Sequence, residues 1–175
     1  FVETQWQDGH GENASACLHG GLCAGVQHPN NPIIVPLKLS SRVNLLNIMS
    51  RLKKRIIITS FASNVARMET AFYCAEKTGR QISLVGRSMH RIYKAARQCG
   101  YLKNTIEPID SREAKNFPRE KIVYLCTGSQ GEPMGAMMRV SNDVQPDVFI
   151  EKDDTVIFSS KIIPGNEKKL YKLHN

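Results

Sequence analysis

Ile56-Ile57-Ile58-Thr59, running into Ser60-Phe61-Ala62-Ser63-Asn64, is the stretch from which the fold of this chain is read. Four β-branched residues without polar alternation predict a short strand in a covered sheet, and the small polar residues after them end it. Val65, Met68, Phe72 and Ala75 then recur three or four apart, which predicts a helix from about Asn64 to Lys77 with Gly79 at its C-cap. Upstream, Val43, Leu46, Ile48, Met49 and Leu52 fall at roughly helical spacing as far as Lys54. One strand therefore stands between two helices.

The same alternation extends downstream. A strand is expected over Gln81 to Val85, and a helix from about Met89 to Cys99, capped by Ser88 and stopped by Gly100. After a polar stretch around Asp110 to Pro118 come a strand from Lys121 to Cys126 and a short helix starting at Pro133, a residue suited to a first turn. A strand from Thr155 to Phe158 and a last helix from near Pro164 to Leu173 complete the pattern. Strands separated by helices imply parallel βαβ units, and so an α/β, Rossmann-like fold whose parallel sheet has helices on both faces. Residues 1–40 are rich in Gly, Asn, His and Pro and keep neither a period of 2 nor one of 3.6. They are read as an irregular or disordered segment preceding one α/β domain over 41–175.

Composition narrows the class. The chain has 175 residues, 41% apolar, with 24 Lys+Arg against 16 Asp+Glu, for a net charge of +8. A chain of this length can bury about 70% of its unfolded surface in one core. No apolar run approaches the roughly 18 residues of a membrane helix, so no membrane association is expected. Cysteines at 17, 23, 74, 99 and 126 lack the regular spacing of a disulfide scaffold, which points to a reducing cytoplasm. The charge is uneven: residues 1–37 carry −3, residues 38–103 carry +12 and residues 104–175 carry −1. A single-sign block of that size suits a polyanionic partner, although a solvated helix face shows the same pattern.

In a parallel α/β sheet, ligands bind at the carboxyl ends of the strands. Four loops lie there: Ser60 to Asn64, Gly86 to Met89, Thr127 to Pro133 and Ser159 to Glu167. All are small and polar, and each leads toward a helix N-terminus, whose amides and dipole favour an anion. Arg87 and Lys161 add formal charge. Taken singly, Ser63, Asn64 and Ser88 are as well explained as helix caps. Neither Gly-x-x-x-x-Gly-Lys-Ser/Thr nor Gly-x-Gly-x-x-Gly occurs, so P-loop and dinucleotide readings are disfavoured.

Taken in order, Ile57-Ile58-Thr59-Ser60-Phe61-Ala62-Ser63-Asn64, Val85-Gly86-Arg87-Ser88-Met89, Leu125-Cys126-Thr127-Gly128-Ser129-Gln130-Gly131-Glu132-Pro133 and Val156-Ile157-Phe158-Ser159-Ser160 with Ile163-Pro164-Gly165-Asn166-Glu167 resemble the successive signatures of ribonuclease J. The similarity is to its beta-CASP domain, the α/β module inserted into a metallo-β-lactamase fold, and it runs from about Arg42 to the C-terminus. The resemblance implies enzymes that mature and degrade RNA as 5′-to-3′ exonucleases and as endonucleases. In that family zinc ions in the metallo-β-lactamase domain activate water, while the beta-CASP domain closes over the RNA and helps hold its 5′-monophosphate end. Expected RNA and phosphate contacts are Ser63, Asn64, Arg87, Ser88, Ser129, Gln130, Ser159, Ser160 and Lys161. Expected partners are RNA, the parent's metallo-β-lactamase domain and, in the parent, further copies of itself.

The match also has gaps. The family's His-x-His-x-Asp-His and Ser-Gly-His motifs do not occur in this sequence, so neither bound zinc nor catalytic residues are expected in it, and the chain alone is expected to be inactive. Ser41 precedes Arg42 where relatives often carry Ser-Glu, and Lys161 stands where they commonly carry Ser. His10, Cys17, His19, Cys23 and His28 form a mixed set, but their spacing fits no common zinc finger. Cys74, Cys99 and Cys126 read as small buried hydrophobes, and Met134, Met137 and Met138 as core or interface filler. Tyr73, Tyr93 and Tyr101 accompany Arg91, Lys94 and Arg97 and offer rings for base stacking, or for ordinary core packing. A non-catalytic nucleotide-phosphate or protein-interaction module and a decayed fragment are the competing readings.

Overall fold

The computed structural model describes residues 33–36, 42–160 and 163–174. The strands are β1 (Ile33–Pro36), β2 (Ile56–Thr59), β3 (Gln81–Val85), β4 (Ile122–Cys126) and β5 (Thr155–Phe158), and every pairing between them is parallel. Their order in the sheet is β1-β5-β2-β4-β3, so the strand read first from the sequence lies at its centre. Between the strands run α1 (Arg42–Arg51), α2 (Val65–Lys77), α3 (Arg87–Gln98), α4 (Ser111–Ala114) and α5 (Ala136–Ser141), and α6 (Glu167–His174) follows β5.

Side chains alternate across the sheet as a pleated strand requires. Ile56 and Ile58 of β2, Val123 and Leu125 of β4 and Ile157 of β5 face one layer, where they meet Leu45 and Met49 of α1, Phe72 of α2 and Met89 of α3. Ile57, Tyr124, Val156 and Phe158 face the other, against Met137 and Val140 of α5 and Leu170 of α6. Both faces are thus covered by helices. Complete burial of such a side chain contributes about 1.5–3 kcal/mol, which explains why these runs are apolar throughout.

Several boundaries differ from the sequence reading, each for a tertiary reason. Strand β1 lies inside the segment read as irregular. Its four residues, ended by Pro36, acquire backbone partners only by pairing in parallel with β5 at the sheet edge, where proline is tolerated. The remainder of 1–40, the His10 to His28 set and Lys161 lie outside the described residues. Helix α3 begins at Arg87, with Gly86 rather than Ser88 at its N-cap. Gly86 has φ +109°, and a Cβ there would sit 2.8 Å from Thr127 Oγ1. Helix α5 starts at Ala136 instead of Pro133, because Thr127 Oγ1 accepts from the Ala136 amide at 3.2 Å and the Thr127 carbonyl accepts from Met137 at 2.8 Å. The polar stretch at Asp110 contains α4, capped by the Asp110 carboxylate. Cys74 and Cys126 are buried as expected, whereas Cys99, at the α3 C-cap, is exposed.

The amino edge of the sheet is locked by ions. Asp154, fully buried just before β5, accepts from Arg119 Nη2 at 2.7 Å and from the Glu151 amide at 2.9 Å, and Arg55 Nη1 stands 3.6 Å away. Arg55 also pairs with Glu151 and donates to the Phe149 carbonyl. Arg80, before β3, donates to the carbonyls of Lys54 and Leu52. Charges buried here are paired or bound to carbonyls, as desolvation demands.

Candidate functional site

The four loops read from the sequence share the carboxyl edge of the sheet, since β2 to β5 all run in the same direction. They are also fastened to one another. The Ser60 amide donates to Cys126 at 3.0 Å and the Ser159 amide to Thr59 at 2.9 Å, which holds the ends of β5, β2 and β4 level. Gly86, packed on Thr127, sets the start of α3 against the loop after β4. That loop is itself tight. Gly131 has φ +67°, and a Cβ there would come within 2.9 Å of the Lys169 backbone in α6.

Gln130 is the strut between the loops after β4 and β5. It is 3% exposed; its amide nitrogen donates to Ser160 Oγ at 3.1 Å, and its carbonyl oxygen accepts from the Ile163 amide at 2.8 Å. Glu132 in turn accepts from the Gln130 amide. Ser129, Gln130, Ser159 and Ser160 therefore form one constellation, in which Gln130 positions its neighbours. Asn64 caps α2 by accepting from the Arg67 amide at 3.0 Å. Ser63, Arg87 and Ser88 are exposed at the same edge.

Buried polar atoms without a partner among the described residues include Arg55 Nε at the opposite edge and Ser83 Oγ within β3, but most lie at this edge. The hydroxyls of Thr59, Ser129 and Ser159 are buried and have no hydrogen-bond partner among the described residues, and neither has Nη1 of Arg67. Burial also pulls the Arg67 guanidinium below its ordinary pKa. An unsatisfied buried hydroxyl costs about 1–3 kcal/mol, and an acceptor brought to these groups would recover that cost.

Charge at the helix starts agrees. Arg87 is the first residue of α3 and Arg67 the third of α2, and neither helix has an acid in its first turn. A cation there opposes the helix dipole and forgoes the 0.3–1 kcal/mol that a carboxylate would contribute. Arg67 and Thr59 were not among the residues singled out from sequence. The readable signal for Arg67 was its place three residues after an Asn cap. For Thr59 there was none, because its hydroxyl is distinguished only by lacking a partner.

Among the aromatic candidates, Tyr93 stacks on Phe72 with ring centroids 5.5 Å apart, and Tyr73 lies beneath Arg42 and Lys77. Tyr101, by contrast, is 64% exposed. Met137 is buried in the core, while Met134 is exposed in the loop. Among the described residues no three His, Cys, Asp or Glu side chains gather as a metal ion would require.

Comparison with known proteins gives the family of the chain. Residues 53–175 match the family model described as ribonuclease J, beta-CASP domain. The chain is 37% identical to ribonuclease J of Synechocystis sp. over 169 residues, which is 95% of this chain and 26% of that protein. It is 42% identical to ribonuclease J 1 of Streptococcus pyogenes over 136 residues, 75% of the chain and 24% of the relative. Against ribonuclease J of Thermus thermophilus the identity is 33% over 154 residues, 88% and 27% respectively. The chain thus spans about a quarter of the length of the curated relatives it matches. A match over 95% of the chain also takes in most of residues 1–40, which carry no family motif.

Proposed function

The chain belongs to the ribonuclease J family through its beta-CASP domain, and on that premise we propose that it supplies RNA binding to a metal-dependent RNA hydrolase, holding backbone or 5′-terminal phosphate at the carboxyl edge of the sheet. The observation that carries this reading is the set of desolvated donors without acceptors, Thr59, Ser129, Ser159 and Arg67, beside exposed Arg87 and half-buried Ser160. Phosphate oxygens accept several hydrogen bonds at once and are served by charged and hydroxyl donors together. Ser63, Ser88 and Lys161 add donors along the same sequence motifs, and Asn64 and Gln130 hold the loops in place.

Zinc enters through the family alone. The described residues do not fit the ion, since no three His, Cys, Asp or Glu side chains among them come together to hold it. The water-activating centre is assigned to the metallo-β-lactamase part of the parent protein. No helix among the described residues is long and apolar enough to cross a membrane.

Fluorescence anisotropy of labelled RNA with the full chain tests the reading. Binding of 5′-monophosphorylated RNA that weakens with salt, is stronger than for 5′-hydroxyl RNA and exceeds that of a mononucleotide is the expected result. Equal affinity for all three would overturn it. Zinc-dependent, chelator-sensitive cleavage by the chain alone would show that the catalytic assignment is misplaced.

A further inference from the structure

Helix α3 carries a second feature that the strand-end site does not use. At 100° per residue, Arg87, Arg91, Lys94 and Gln98 fall within about 60° of one another, and the buried Met89 and Ala96 lie on the opposite side. Arg91 and Lys94 are exposed, and neither forms an ion pair among the described residues. Only Arg97, to one side, is matched by Glu107 at 3.2 Å. The helix contains no acid. Like charges at i,i+3 and i,i+4 cost an isolated helix about 0.2–0.5 kcal/mol each, so this row is not an arrangement that helix stability favours.

The row begins at the site and leads away from it. Arg87 stands at the carboxyl edge, and Lys94 lies about 10 Å farther along the helix axis. Beyond the helix C-cap, exposed Tyr101 is anchored by its amide to the Ala96 carbonyl at 2.9 Å. No large apolar side chain is exposed on α3 itself, so the face lacks both the apolar centre of a protein interface and the inserting residues of a membrane-surface helix. What remains is charge, with a ring at its far end, and that combination fits a single-stranded nucleic acid.

We propose that the outer face of α3, through Arg91 and Lys94, is a track for the RNA strand as it leaves the strand-end site, so that affinity grows with RNA length. The choice of RNA rests on the function proposed above, whereas the track and its direction rest on α3 alone. The test is a double substitution, R91Q/K94Q, which keeps good helix formers in place. It is assayed on the full chain with single-stranded RNA of about 4 and about 16 nucleotides at several salt concentrations.

The expected result is unchanged binding of the short RNA, about tenfold weaker binding of the long one, and a salt slope for the long RNA smaller by about 1.4, two phosphates at 0.7 each. The circular dichroism and melting temperature of the variant should match those of the parent chain. Equal loss on both lengths, or none on either, would overturn the track while leaving the strand-end site standing. Loss of long-RNA binding in R91Q/K94Q with none in S129A/S159A would instead remove the strand-end reading and keep the track. Failure of the unaltered chain to bind any RNA would overturn both. Loss of binding to phosphatidylserine vesicles with RNA binding intact would reassign the face to a membrane surface and defeat the proposal.

Discussion

Replacing Ser129 and Ser159 together by alanine separates a ligand site from a structural one, because the two roles predict opposite signs for stability. Each hydroxyl is buried without a partner among the described residues. Leaving such a group unsatisfied costs about 1–3 kcal/mol. Removing the oxygen recovers that cost, less the small void left behind, for which about 1 kcal/mol per methyl-sized gap is an upper bound. With about 1 kcal/mol of void set against each recovered 1–3 kcal/mol, the double variant should therefore unfold at the same free energy as the parent chain or up to about 4 kcal/mol higher. At about 3 °C per kcal/mol for a chain of this size, the melting temperature should rise by between zero and about 12 °C. Binding should move the other way. A hydrogen bond to a charged group contributes about 1.5–3 kcal/mol, so loss of even one such contact should weaken RNA binding about tenfold or more. The assays are urea unfolding followed by circular dichroism, and anisotropy with 5′-monophosphorylated RNA. A loss of stability above about 1 kcal/mol with RNA affinity unchanged would refute the reasoning, since it would mean that the hydroxyls hold the fold. Higher stability with unchanged affinity would refute the ligand role equally.

At the opposite edge Asp154→Ala should destabilise the chain by about 3–5 kcal/mol, the range for breaking a buried ion pair, since Arg119 and Arg55 would lose their common carboxylate. RNA binding measured well below the new melting temperature should be unaffected, and a loss under 1 kcal/mol on urea unfolding would show that the network is not a lock. Among the described cysteines, burial pushes the thiol of Cys74 up to about 11 and that of Cys126 up to about 12. A thiol whose folded pKa is raised binds its proton more tightly when folded. Its effect on stability is therefore flat below pH 9 and unfavourable from pH 9 toward 11 or 12, at about 1.4 kcal/mol per pH unit for each group. Alkylation followed by peptide mapping at pH 8 should modify Cys99 and spare Cys74 and Cys126; rapid modification of Cys126 would show that the end of β4 is open.

Strands β2, β3 and β5 were readable residue for residue, because Ile56-Ile57-Ile58-Thr59, Gln81-Ile82-Ser83-Leu84-Val85 and Thr155-Val156-Ile157-Phe158 are buried runs whose composition is set by the sheet itself. Helix starts were less readable. Gly86 and Gly135 decide where α3 and α5 begin, and both do so through contacts with the loop after β4, which is remote from them in one case and folded back in the other. Strand β1 owes its existence to β5, 122 residues later in register, so no local pattern announces it. At the carboxyl edge, Ser and Gly marked where the loops fall in the sequence, but the place of Gln130 between two loops and the isolation of Thr59 and Arg67 depend on what surrounds them in space.

The two edges of the sheet divide the costs of folding between them. At the amino edge the guanidinium groups of Arg55, Arg80 and Arg119 are each met by a carboxylate or a carbonyl, which offsets much of the penalty of desolvation, although Arg55 Nε has no partner among the described residues and burial still lowers the Arg80 pKa. At the carboxyl edge, hydroxyls and a guanidinium are desolvated without such matching, and cations occupy helix first turns where the dipole opposes them. A fold bearing that strain on one side needs the other side firmly held, since its net stability is only about 5–15 kcal/mol. The consequence is a coupling with a definite direction. On the proposed reading, phosphate at the carboxyl edge should satisfy the orphaned donors and so raise the melting temperature in proportion to the logarithm of its concentration above Kd. In the S129A/S159A variant, which no longer has those donors, the same RNA should raise it less, and an equal rise in both would mean that the ligand's stabilising contacts lie elsewhere.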